Sequence, residues 1–153
     1  MTIRVTLTDD HEAVREMAHV ILASDPSYHI VGEASDGYGA VEIVRLMQPD
    51  VAVIDIGMTP PNGFEATRAI KRLFPNIHVL ILSTHEDPWY VTKGFDAGAT
   101  GYVVKRTMGR DLITALASVH RGDEYISPAI ALPPPSDGQS TGAFRDTRLS
   151  RSN

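Results

Sequence analysis

Apolar and polar positions along the chain sort into two kinds of segment that take turns. Short apolar runs, rich in Val, Ile and Leu, occupy residues 2–8, 29–34, 51–55, 77–82 and 101–104 and read as strands. Between them lie longer stretches with one apolar stripe at helical spacing. Val14, Met17, Ala18 and Ile21 form the first stripe, within residues 12–24, and Asp25-Pro26 stops it. Ala40, Ile43, Val44 and Met47 form the second, opened by Asp36-Gly37 and closed by Gln48-Pro49-Asp50. Gly63 opens a third helix whose Ala66, Ile70 and Leu73 are expected to face the sheet. Asp87-Pro88 sets the start of a fourth, as cap and first turn, with Val91 and Phe95 on its inner face. Thr107 is placed to cap a fifth, carrying Leu112, Ile113, Leu116 and Val119 and ended by Arg121-Gly122.

The run Val51-Ala52-Val53-Ile54 has no polar alternation, the mark of a strand covered on both faces. Strands alternating one for one with helices predict an α/β doubly wound fold. Its parallel sheet is expected to have five strands in the flavodoxin-like (CheY-like) order 2-1-3-4-5, with five helices around it. Past Pro128 the pattern stops. Leu132, three prolines and a Ser/Gly/Gln-rich stretch carry no apolar period. The expected division is a folded body over residues 1–130 and a disordered linker or tail over 131–153.

Bulk numbers remove several classes of function. A chain of 153 residues, 42% hydrophobic and 22% charged, can bury one sizeable core. With no cysteine, it has no disulfides, thiolate metal site or cysteine nucleophile. The first residues lead straight into a strand, and no stretch reaches the ~20 apolar residues that span a bilayer, so a cytoplasmic protein is expected. A net charge of −5 argues against non-specific binding to nucleic acid.

The candidate chemistry sits where the strands end. The first runs into Asp9 and Asp10, the third into Asp55, the fourth into Ser83 and the fifth into Lys105. In a parallel sheet these ends share one edge, the edge at which open α/β sheets bind ligands. Three carboxylates meeting there repel one another by roughly 4 kcal/mol per pair at ~4 Å and an effective dielectric of ~20, so they need protons or a cation. Oxygen ligands in an open cleft suit Mg²⁺. A metal, an amine and a hydroxyl around a carboxylate are equipment for holding a phosphoryl group while the carboxylate attacks it. A lone Asp after a strand is most often a loop starter or helix cap; four strand ends with matching groups weaken that reading.

This constellation resembles the receiver domain of two-component response regulators. Supporting stretches are Asp55-Ile56-Gly57-Met58, Asn62-Gly63-Phe64-Glu65 and residues 97–105. Asp9-Asp10-His11, Val31-Gly32-Glu33-Ala34, Leu82-Ser83-Thr84-His85 and residues 122–128 are similar to the NarL/FixJ (LuxR-type) subfamily. The resemblance implies that Asp55 accepts a phosphoryl group from a phosphohistidine on a partner histidine kinase. It implies Mg²⁺ on Asp10, Asp55 and the Gly57 carbonyl, with Asp9 acting through water. Lys105 and Ser83 would bond phosphoryl oxygens, and Tyr102 would repack as a switch. Homodimerisation on phosphorylation is implied, and DNA binding only through a helix-turn-helix domain beyond this chain. Two departures stand out: Thr59 occupies the usual proline position, and the chain stops where such a domain would begin. Both a piece of a longer transcription regulator and a free-standing receiver fit that second departure.

Other residues carry weaker signals. His11 and His85 flank the pocket, either near a metal's water shell or as polar loop residues. Trp89-Tyr90 fits a dimer or kinase interface and fits packing against the neighbouring loop equally well. Two other classes of function compete. One is a phosphorylation-independent binding module, against which the intact acidic set speaks. The other is a phosphatase with an aspartyl intermediate, which would need a second Asp where Gly57 stands.

Overall fold

The computed structural model describes residues 2–130. The elements, in chain order, are β1 (Ile3–Thr8), α1 (Glu12–Leu22), β2 (Tyr28–Ala34), α2 (Gly37–Met47), β3 (Val51–Asp55), α3 (Gly63–Leu73), β4 (His78–Ser83), α4 (Pro88–Asp96), β5 (Gly101–Val104), α5 (Met108–His120) and β6 (Tyr125–Ile126). All strands are parallel, in the order β2-β1-β3-β4-β5-β6. The expected order holds for the first five. The sixth strand was not expected: two residues are too few to show an alternation, and it exists because Tyr125 N–H donates to Thr100 O and Ser127 N–H to Tyr102 O. The linker expected over 131–153 lies outside the described residues.

The central strand β3 feeds two cores. Val51 and Val53 pack with Ala18, Leu22, Leu112 and Leu116 of α1 and α5. Ala52 and Ile54 pack with Val44, Ile70 and Val91 of α2, α3 and α4. This two-sided covering explains the unbroken apolar run: alternate residues go to opposite faces and both faces are dry. Asp55 therefore ends a strand whose five residues are all buried.

The helix starts follow the sequence closely. Asp36 accepts from Gly39 N–H, Asp87 accepts from Trp89 N–H with Pro88 following, and Asn62 with Glu65 forms a reciprocal capping box. Thr107 does not cap α5. A single 3₁₀ turn, Lys105–Thr107, intervenes, and the Thr107 hydroxyl donates instead to Asp111 at 2.6 Å. Two stripe residues also come out differently. Met17 and Leu73 are about half exposed, at 53% and 52%, because Ala18 with Leu22 and Ala66 with Ile70 centre the buried faces of their helices.

Gly63 starts α3 hard against the end of β3. A Cβ there would collide with the Asp55 carbonyl and lie 2.5 Å from Ile56 Cα. Backbone cannot yield as a side chain can, so Gly63→Ala is expected to destabilise the fold by about 1–3 kcal/mol. Urea denaturation of the variant checks this; an unchanged midpoint would contradict the tight packing.

Candidate functional site: an acidic pocket at the carboxyl edge of the sheet

β1 lies between β2 and β3, so the chain winds outward in both directions from the β1/β3 pair. That reversal leaves a crevice beyond the carboxyl ends of the two strands. Asp9 follows β1, Asp55 ends β3, and Lys105 follows β5. Five residues chosen from sequence, Asp9, Asp10, Asp55, Ser83 and Lys105, lie at this edge. Ligand atoms of Asp9, Asp10, His11 and Asp55 all fall within 4.8 Å of one another.

Lys105 reaches in from the side. Its Nζ is 2.7 Å from Asp9 Oδ2 and 3.4 Å from Asp55 Oδ1. Asp9 is fully buried, and its other oxygen accepts from the His11 N–H at 2.9 Å. Its backbone carbonyl accepts from Arg15 of α1, whose Nε also meets Glu33 at 3.0 Å on β2. Asp10 is more open and faces His11 Nδ1 at 3.0 Å. Gly57 N–H donates to Asp55 Oδ1 at 3.0 Å.

The electrostatics follow from this crowding. Burial is the main reason the Asp55 carboxyl is held above the ordinary carboxylate range. Asp9 and Asp10 push the same way, against the Gly57 N–H and Lys105. Of the three carboxylates, one lysine amine contacts two, Asp9 and Asp55. Asp9 Oδ2 sits beside that amine yet accepts no hydrogen bond among the described residues, although it is buried. Three carboxylates gathered around a single ammonium leave an excess of negative charge that a bound cation would complete. The donors are mostly carboxylate oxygens, so a hard divalent ion fits them, with His11 adding one nitrogen at the rim.

The switch candidates adjoin the pocket. Ser83 is buried, and its Oγ accepts from His85 N–H at 2.9 Å. Tyr102 is turned inward and fully buried, donating its hydroxyl to the His85 carbonyl at 2.8 Å. Burial pushes that phenol up to about 12, with the Ser83 hydroxyl opposing. His85 is an exposed loop residue, its ring stacked on Tyr90 with centroids 4.0 Å apart. Tyr90 thus packs against the loop, while its neighbour Trp89 is half exposed. Met17 lines an open groove with Val14 and Met108, beside Lys105 and Arg106.

One cluster had no signal in the sequence. Asp111 of α5 is buried, and it accepts from the hydroxyls of Thr107 at 2.6 Å, Ser127 at 2.8 Å and Tyr125 at 3.2 Å. Ser127 Oγ in turn accepts from Val104 N–H of β5. Burial alone would raise the Asp111 carboxyl, but these hydrogen bonds, with one from Arg110, outweigh it and hold it below the ordinary range. Its donors at 125 and 127 lie in and just after the short strand β6, which no periodicity marks.

Comparison with known proteins agrees with the geometry. The family described as "Response regulator receiver domain" matches residues 5–117. The transcriptional regulatory protein DegU of Brevibacillus brevis is 41% identical over 128 residues, covering 84% of this chain and 54% of that protein. The response regulator GacA of Pseudomonas aeruginosa is 35% identical over 129 residues, covering 84% of this chain and 60% of that one. The crystal structure of a LuxR-family two-component response regulator from Aurantimonas sp. SI85-9A1 superposes with a TM-score of 0.81 at 35% identity, covering 85% of this chain and 93% of that one. The chain thus spans somewhat more than half the length of the curated relatives it matches. Among the described residues, no helix is long and apolar enough to cross a membrane.

Proposed function

Because the chain belongs to the response regulator receiver domain family, we propose that Asp55 is its phospho-acceptor and that a histidine kinase is the donor's source. The observation that carries this reading is the convergence of Asp9, Asp10 and Asp55 within one ion's reach, with Lys105 bridging Asp9 and Asp55. An Asp55 oxygen attacks phosphorus, a P–O bond to Asp55 forms, and the bond to the leaving group breaks. The leaving imidazole or carboxylate takes the electron pair.

Asp9, Asp10, Asp55 and the Gly57 carbonyl would hold Mg²⁺, which when bound supplies positive charge against the phosphoryl oxygens and the acidic cluster. Lys105, already in contact with Asp55 and Asp9, neutralises charge on the phosphoryl group. Ser83 offers its hydroxyl to a phosphoryl oxygen. Phosphorylation then biases the β4–α4 loop and Tyr102 toward one arrangement, a shift of population in a two-state element. The chain acts as an acceptor rather than a turnover enzyme, since the position of a second catalytic Asp is held by Gly57. Homodimerisation on phosphorylation and control of transcription through a further DNA-binding domain are the downstream steps this reading assigns.

Incubation with acetyl phosphate tests the proposal. In millimolar Mg²⁺ the chain should gain one phosphoryl group by intact mass, and EDTA should slow labelling by at least about a hundredfold. Labelling indifferent to EDTA would overturn the metal assignment. A chain that takes up no phosphoryl group in either buffer would favour the phosphorylation-independent binding module.

A further inference from the structure

Ser83 is expected to meet the incoming phosphoryl group, yet the loop that follows it is exposed at Thr84 and His85. What fixes the hydroxyl in place is therefore a question about His85. Three ties converge on that residue. Its N–H donates to Ser83 Oγ at 2.9 Å, its carbonyl accepts from the Tyr102 hydroxyl at 2.8 Å, and its ring lies flat on Tyr90, at 4.0 Å and an interplanar angle of 9°. The first two ties are made by the backbone and belong to the switch itself. The third is made by a side chain of α4.

Tyr90 is well supported for this task. It sits in the first turn of α4, where Asp87 caps the helix and the Tyr90 N–H donates to the Asp87 carbonyl. The Trp89 ring meets its edge at 4.9 Å and 86°, and Lys93 Nζ lies 5.4 Å from the Trp89 centroid. Stacked rings in this geometry are worth more than their buried area alone. The loop has one further anchor, the Glu86–Arg106 pair at 2.8 Å. That pair is exposed, and exposed ion pairs hold little.

We propose that Tyr90 is a positioning residue for phosphoryl acceptance: by clamping the His85 ring it sets the His85 amide, and through it the Ser83 hydroxyl, toward the acceptor. The inference rests on the reading of Asp55 as acceptor. Tyr90 touches neither Asp55 nor the acidic cluster in any hydrogen bond or ion pair of the described residues; it also packs beside Tyr102 in the core, so the route through His85 and Ser83 is what the double-mutant cycle isolates.

The test uses the full chain, acetyl phosphate and Mg²⁺, with the phosphodonor varied so that the limiting rate and KM are read separately. Tyr90→Leu should lower the limiting rate about tenfold, the size expected for misdirecting one charge-assisted hydrogen bond, with KM little changed. Tyr90→Phe keeps the ring and should restore the rate to within about twofold. His85→Ala removes the stack from its exposed side, where folding is least at risk, and should reproduce the Tyr90→Leu rate. The decisive reading is the double-mutant cycle: in a Ser83→Ala background Tyr90→Leu should have no further effect. Independent losses that multiply, or a Tyr90→Leu rate equal to the parent's, would overturn the positioning role while leaving Asp55 the acceptor. A parent chain that takes no label would instead sink the acceptor reading, and this inference with it.

Discussion

Asp55→Asn should abolish labelling by acetyl phosphate and, at neutral pH, make the protein more stable. The first effect follows from the proposed role of Asp55: a neutral amide replaces the attacking carboxylate, and labelling should fall below detection. The second follows from where the carboxylate sits. Burial, Asp9 and Asp10 hold its folded pKa above the ordinary value. Between the two values the folded state binds more protons than the unfolded one, so stability falls as pH rises through that window. Above the folded pKa the full penalty of a buried, repelled charge is present. Asn removes it, while Lys105 keeps Asp9 at 2.7 Å as a partner. A gain on the order of 1 kcal/mol, about 2–4 °C in Tm, is expected at pH 7.5. It should shrink toward zero as pH falls to the ordinary carboxylate value. Thermal melts of both proteins at pH 7.5 and about pH 4 read this directly. A variant less stable than the parent at pH 7.5 would show that Lys105 and Gly57 already outweigh the burial.

Asp111→Ala should act in the opposite direction and by more. Here the carboxylate satisfies the hydroxyls of Thr107, Tyr125 and Ser127, and its folded pKa is held low by them despite burial. Truncation takes the shared acceptor from all three donors, of which Ser127 is buried and Thr107 and Tyr125 are partly buried. Each such group costs about 1–3 kcal/mol unless water reaches it, so a loss of about 3 kcal/mol is expected. The pH sign is the reverse of that at Asp55. A lowered pKa contributes stability above the unfolded value, and that stability is lost as pH falls through the folded value. The parent should therefore lose stability in acid, whereas Asp111→Ala should have little left to lose there. Urea titrations at pH 7.5 and at about pH 3 test both parts. Amide exchange at Ser127 adds a local reading, because its N–H to Tyr102 O is held in place by the same cluster. A variant within 0.5 kcal/mol of the parent, about the limit for a neutral surface change, would contradict this account.

The two carboxylates also show what could be read from the sequence. Asp55 was legible because it closes an uninterrupted apolar run. Parallel topology then forces every strand end to one edge, so Asp9, Asp10, Ser83 and Lys105 had to gather near it whatever the loop details. Asp111 was not legible. It falls on a helix among ordinary polar positions, and its partners at 125 and 127 lie in a segment too short to carry a period. Met17 and Leu73 failed for a related reason: i, i+3, i+4 spacing defines a stripe but not its width, and both sit at the margin of theirs. The place of Trp89-Tyr90 was open between interface and loop packing, and the stack of Tyr90 on His85 was not foreseen, since ring planes leave no trace in residue spacing. Thr107 had the right type for a cap, but an inserted 3₁₀ turn and a buried carboxylate four residues on took its hydroxyl.

The burial of β3 along its whole length has one more bearing. Dry layers press on the strand from both sides, and paired neighbours flank it on both edges, so Asp55 is mounted on a strand held from every side. The anvil stays still; whatever message a bound phosphate sends must be written by the pieces that close on it.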